Sequence, residues 1–201
     1  VGIVGLPNVG KSTLFNALTQ SDIPANNYPF CTIDPNVGTV LVDDERIEMI
    51  NEYIPSDNII YTTIEFVDIA GLVKGASKGE GLGNQFLSHI RNIDAIIHVI
   101  RCFDNDNITH VEDSLDPIRD IKIIETELLL KDLESIEKKI IKVQKNAKTG
   151  DKQSKFELMV LQKIQEIINN GKLIYNAEFS DSEQEYIKTL FLLTSKPMIY
   201  I

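Results

Sequence analysis

Gly5-Leu6-Pro7-Asn8-Val9-Gly10-Lys11-Ser12 follows directly on the apolar run Val1 to Val4 and fits the pattern G-x-x-x-x-G-K-[ST] of a phosphate-binding loop. Phosphate oxygens need closely spaced backbone N–H donors, and glycine lets a loop wrap them without a Cβ in the way. Within the loop, Gly5, Asn8, Val9, Gly10 and Thr13 read as phosphate holders, Lys11 as a mobile cation over the β- and γ-phosphates, and Ser12 as a hydroxyl offered to Mg²⁺. Thr13 to Leu18 has the character of a helix whose N-terminus favours anions. Strand, loop and helix in this order predict an α/β fold and a nucleoside triphosphate as ligand.

A second motif, Asp68-Ile69-Ala70-Gly71, has the form D-x-x-G and ends the strand-like Ile64-Glu65-Phe66-Val67. In that position a carboxylate can hold Mg²⁺ through water while the Gly71 N–H faces the γ-phosphate. Thr32, in the Asn- and Pro-rich loop from Ser21 to Gly38, offers a further hydroxyl to the metal. The predicted metal set is therefore Ser12, Thr32 and Asp68, with Lys11 and Gly71 meeting the charge that develops during hydrolysis. Thr39 to Val42 reads as a strand and Glu45 to Ile54 as a short helix. After a loop punctuated by Gly71, Gly75, Gly79, Gly81 and Gly83 come a helix, Asn84 to Arg91, and a strand, Ala95 to Ile100. This alternation predicts a mainly parallel sheet with helices on both faces.

With 201 residues, 43 % of them hydrophobic and 25 % charged, the chain can bury one good core plus an appendage. A formal net charge of −10 excludes a surface that grips nucleic acid everywhere and confines any polyanion contact to a local basic face. Cys31 and Cys102 lie far apart and fit no C-x-x-C metal pattern, which reads as reduced thiols in a cytoplasmic protein. No stretch approaches the roughly twenty apolar residues of a membrane helix, so no membrane partner is expected. The chain opens without Met in a strand and stops in the apolar run Met198-Ile199-Tyr200-Ile201, and it reads as a fragment.

The texture changes at Asp116-Pro117. From there to Lys148 the sequence predicts one long helix closed by Gly150, with Leu129, Leu133, Ile136, Ile140 and Val143 in a heptad seam. A second helix, Lys152 to Asn169, carries Leu161, Ile164 and Ile168 on one stripe and folds back on the first as an antiparallel hairpin. Ser180-Asp181-Ser182-Glu183 is a capping box for a shorter helix. The expected organisation is a nucleotide-binding domain over 1–115, an inserted helical hairpin domain over 116–195, and a returning strand over 196–201.

Taken together, the octet, Asn27-Tyr28-Pro29-Phe30-Cys31-Thr32-Ile33, the run from Asp68 to Ser77 and Gly79-Glu80-Gly81-Leu82-Gly83-Asn84-Gln85-Phe86-Leu87 resemble the YchF or Obg-like ATPase family of translation-factor-class P-loop proteins. The resemblance covers essentially the whole chain, since the hairpin is similar to the coiled-coil domain that this family inserts into its nucleotide-binding domain. It implies ATP as substrate in preference to GTP, Mg²⁺ as cofactor and association with the ribosome. The family's nucleobase motif, Asn-x-x-Glu, and its TGS domain follow beyond the region matched here. Leu72 stands where Ras-like proteins carry a water-orienting glutamine, and the resemblance supplies His110 as the catalytic candidate. A surface role for this loop histidine is the competing reading. Asn8 stands where some related GTPases help hold K⁺, the alternative being a loop amide bonded to its own backbone. The lysines at 138, 139, 142, 145, 148, 152 and 155 read either as a solvated face or as a local contact with ribosomal RNA. Two functional alternatives stay open, a GTP-specific Obg-type GTPase and a nucleotide-dependent binding module whose hydrolysis is incidental.

Overall fold

A computed structural model describes residues 1–19, 36–69, 90, 92–104 and 114–201 of the chain. Among the described residues one five-stranded sheet is formed. β1 (Gly2–Val4) runs parallel to β3 (Thr63–Asp68) on one side and to β4 (Ile96–His98) on the other. β5 (Met198–Tyr200) extends the sheet parallel to β4, and β2 (Val37–Leu41) closes the opposite edge, giving the order β2-β3-β1-β4-β5. Every residue of β1 is buried, as a central parallel strand must be when both faces are covered.

The sheet is mainly parallel, with one reversal. β2 pairs antiparallel with β3, from Val37 opposite Val67 to Leu41 opposite Thr63. The connection between them, which carries α2 (Glu45–Tyr53), leaves and re-enters at the same end of the pair, so no crossover is made.

Alternation along the strands divides the core. Val4 and Ile96 join Leu6, Val9, Ile69 and Ile93 on one face, whereas Ile3 packs with Phe15 of α1 (Lys11–Thr19) and Phe66 of β3 on the other. The first face is roofed by the start of α3 (Pro117–Lys148), through Ile124 and Leu128. Asp116 caps this helix by accepting from the Arg119 N–H at 3.0 Å, and Pro117 occupies the first turn, where its missing N–H costs nothing.

From Leu129 onward α3 serves a second core. Leu129, Ile136 and Val143 are buried against Leu161, Ile164 and Ile168 of α4 (Lys152–Asn169), with Leu133 and Ile140 partly buried beside them. The reversal between the two helices passes through Gly150 at φ +94°, which a residue with a Cβ adopts only under strain. α5 (Asp181–Lys188) carries both arms of its capping box, between Ser180 and Glu183. On α3, the Asp132 carboxylate is 2 % exposed and accepts from the Leu193 N–H at 2.9 Å, the Thr194 N–H at 2.8 Å and the Thr194 hydroxyl at 2.7 Å. It thereby pins the long helix to the 3-10 turn Leu193–Ser195 that leads into β5.

His98, at the end of β4, is 1 % exposed and its Nδ1 has no hydrogen-bond partner among the described residues. Its ring lies 5.6 Å from that of Tyr200. Desolvation pushes its pKa down to about 4, against a weaker opposing pull from Asp120. The native state therefore holds fewer protons than the unfolded chain between about pH 4 and the ordinary 6.5, and stability is lost as pH falls through that window. Up to about 3 kcal/mol is at stake. The stability difference between wild type and His98→Leu, measured by denaturant titration, is expected to shrink by that order from about pH 7 to pH 4.5, and a constant difference would contradict the burial argument.

Candidate functional site

β1 and β4 are held at their carboxyl ends by a bond of 2.8 Å from the Val99 N–H to the Val4 carbonyl. The chain then leaves β1 at Gly5, where a Cβ would stand 2.5 Å from the Val99 carbonyl oxygen and 2.9 Å from Val9 Cγ2. Glycine alone admits that approach. Asn8 at φ 63° and Gly10 at φ +107° give the loop its left-handed turns, the first tolerated by a short polar side chain and the second by the absence of one. The side chains of Leu6 and Val9 are buried in the sheet's core, which anchors the loop from below. Val9 therefore has only its backbone to offer a ligand. Gly10, Ser12 and Thr13 are exposed at the start of α1, whose first turn is closed by the Leu14 N–H on the Gly10 carbonyl at 2.9 Å.

Lys11 folds back across the loop. It is 8 % exposed and its ammonium donates to the Leu6 carbonyl at 2.9 Å, across the loop. Burial lowers its pKa from the ordinary lysine value, with the charge of Asp68 opposing. An anionic ligand in the loop would complete the solvation of this buried cation.

Ser12 and Asp68, 56 residues apart in sequence, meet directly, the hydroxyl donating to Oδ2 at 2.7 Å. The other carboxylate oxygen, Oδ1, is buried with no hydrogen-bond partner among the described residues. A buried carboxylate oxygen left unpaired is costly, and a hydrated divalent cation would satisfy it. Among the described residues no group of three or more His, Cys, Asp or Glu side chains gathers elsewhere as a metal cage. The hydroxyl and carboxylate donor set at Ser12 and Asp68 fits Mg²⁺, which keeps most of its shell as water and phosphate oxygen. Thr32, Gly71 and His110 lie outside the described residues, as do Cys31, Leu72 and His89.

Two contributors escape a reading of the sequence. The Leu6 carbonyl is invisible because any residue supplies one, and the Val99 carbonyl acquires its role only through β1 and β4 being neighbours. Arg101, just beyond β4, is 3 % exposed, donates from Nε to the Phe103 carbonyl at 3.0 Å and lies 5.2 Å from the Phe103 ring centroid.

A glycine-lined loop between a central parallel strand and a helix, with a carboxylate at the end of the adjacent strand, defines a P-loop nucleotide-binding protein. The chain accordingly matches the family described as 50S ribosome-binding GTPase over residues 1–163. It is 56 % identical over 200 residues to the ribosome-binding ATPase YchF of Bacillus subtilis (strain 168), covering 100 % of this chain and 55 % of that protein. The protein of the same name from Escherichia coli O157:H7 is 55 % identical over the same span and with the same coverage. The solved Schizosaccharomyces pombe YchF GTPase superposes with a TM-score of 0.81 at 44 % identity, over 99 % of this chain and 55 % of that one. The chain belongs to the family described as 50S ribosome-binding GTPase, and it spans about half the length of the curated relatives it matches.

The two glycines of the octet are expected to differ. Gly5→Ala drives a Cβ into backbone and should cost about 2–3 kcal/mol of unfolding free energy. Gly10→Ala meets nothing within 4 Å and should cost only the backbone preference, about 1 kcal/mol. Thermal unfolding without nucleotide checks this, and equal losses would contradict the close-approach argument.

Proposed function

We propose that this chain is the nucleotide-binding part of a Mg²⁺-dependent nucleoside triphosphatase that hydrolyses ATP in preference to GTP and acts as a ribosome-associated switch in the cytoplasm. The observation that carries the reading is the bond from Ser12 Oγ to Asp68 Oδ2 at 2.7 Å beside the buried Lys11 ammonium, a ready cation-and-metal site at one loop. The names of the bacterial relatives, ribosome-binding ATPase, support the substrate and the partner.

Ser12 and Asp68, joined by Thr32, are the residues that would hold Mg²⁺, whose positive charge screens the phosphate oxygens. The backbone N–H groups of Gly5 and of Asn8 to Thr13 cradle the polyphosphate, and the Lys11 ammonium turns from the Leu6 carbonyl to the β- and γ-phosphate oxygens. Water attacks the terminal phosphorus in line with the leaving group. The new bond is from water oxygen to phosphorus, the bond to the bridging oxygen breaks, and the proton leaves with inorganic phosphate as ADP is formed. Leu72 offers no hydrogen bond to that water, so His110 is assigned its orientation and intrinsic turnover is slow. The Gly71 N–H meets the γ-phosphate, and ordering of the segments around Thr32 and Gly71 reports nucleotide state to the ribosome. Asn8 is the residue that would support K⁺.

GTP is the substrate of a second reading, favoured by the names of the Schizosaccharomyces pombe relative, a YchF GTPase, and of the matched family, a ribosome-binding GTPase. Competition of ATP against GTP on the full-length protein separates the two. In the full-length protein with ribosomes present, His110→Ala is expected to lower ATP turnover by about a hundredfold while leaving nucleotide affinity nearly intact. Equal turnover would remove His110 from catalysis, and hydrolysis that ribosomes never stimulate would favour a self-sufficient enzyme over a switch.

The hairpin lysines supply the proposed contact with ribosomal RNA. Lys142, Lys145, Lys148, Lys152 and Lys155 are exposed towards the hairpin's free end, whereas Lys138 is paired with Glu134 and Lys139 lies 5.9 Å from the Tyr186 ring centroid. Charge reversal at Lys142 and Lys145 together is expected to weaken ribosome co-sedimentation by about tenfold and to flatten its salt dependence. Unchanged sedimentation would show that the hairpin does not carry the contact.

A further inference from the structure

α2 is a helix that buries nothing. None of its residues is buried, and Met49, Ile50, Tyr53 and the following Ile54 are 60 %, 61 %, 84 % and 72 % exposed. At about 100° per residue these four fall in two adjacent rows and form one continuous apolar stripe. Ile47 and Asn51, both half-buried, mark the inward side, next to the row of Ile50 and Ile54. Glu45 and Glu52 line the Met49 edge of the stripe, Asp43 and Asp57 flank the helix, and no lysine occurs between Asp43 and Ile60. The single arginine, Arg46, is already neutralised by the Asp44 carboxylate, at 2.8 Å through Nε and 2.7 Å through Nη2.

An apolar stripe on a short helix at the edge of a sheet is an unusual exposure for a surface to carry unpartnered. Its flank of carboxylates repels a phosphate backbone and attracts lysine and arginine. Proteins that lie on RNA carry those residues in excess, because they neutralise phosphates. We infer that α2 is a protein-docking face whose occupant is a Lys/Arg-rich, partly apolar segment of a ribosomal protein, an inference that rests on the ribosome reading above. The occupant lays apolar side chains across Met49, Ile50 and Tyr53 and sets its cations against Glu45 and Glu52. The chain would then meet the ribosome at two chemically opposite places, RNA at the lysine-rich hairpin and protein at the acid-rimmed α2.

The test uses the full-length protein with p-benzoylphenylalanine in place of Tyr53, irradiated with purified ribosomes in Mg²⁺ and a non-hydrolysable ATP analogue. Cross-links to a basic ribosomal protein are expected. The exposed double variant Glu45→Lys with Glu52→Lys is expected to lower ribosome co-sedimentation by about tenfold, with nucleotide binding by calorimetry unchanged. Cross-links to ribosomal RNA, to the protein's own chain or to a second copy, or none at all while the protein still sediments with ribosomes, would overturn the inference. Failure of the wild-type protein to sediment with ribosomes would instead remove the ribosome reading itself, and this inference with it.

Discussion

At the carboxyl end of β1 the backbone of Gly5 passes so near the Val99 carbonyl that a Cβ would stand 2.5 Å away. That contact fixes where the loop begins, and with it everything the loop presents. β1 is paired on both sides, with β3 ending at Asp68 and β4 running into Val99 and Arg101. Three strand ends therefore converge on one place, and the loop between β1 and α1 is the shortest route across it. A carboxylate from β3 reaches the first helical turn, and a lysine from that turn reaches back to the loop carbonyl at Leu6. The arrangement is a consequence of parallel pairing, which gathers carboxyl ends on one side of a sheet.

The long helix α3 is the second structural idea. Its opening turns complete the core of the sheet, while the rest builds a separate apolar seam with α4. One continuous helix shared by two cores ties their positions together, since an α-helix resists bending without a proline or a bulge in its interior. The Asp132 carboxylate strengthens the tie by gathering three donors from the turn before β5. The hairpin is thus joined to the turn that leads into a strand of the sheet through buried, hydrogen-bonded contacts.

Charge is segregated more sharply than the total of −10 suggests. Lysines crowd the far part of the hairpin and carboxylates crowd α2. At physiological ionic strength fields decay over about 8 Å, so each patch acts on what touches it rather than on the molecule as a whole.

Features that depend on short-range chemistry are legible in the residues alone. The octet and Asp68 are legible because each is a local pattern placed at a strand end, and the hairpin is legible because Leu129, Ile136 and Val143 repeat with the period of a helix. The capping box at Ser180 and Glu183 involves neighbours in sequence, and it too is readable. Tertiary structure decided the rest. The antiparallel entry of β2 depends on which end of β3 the connection reaches, and no residue between Leu41 and Thr63 encodes that direction alone. The burial of His98 and the 2.7 Å bond from Ser12 to Asp68 require strands distant in sequence to become neighbours, and the bond of Lys11 to the Leu6 carbonyl, though local, requires the folded path of the loop. The physical reason is that a residue's side chain states what it can donate, accept or bury, while the order of strands in the sheet decides what stands opposite to receive it.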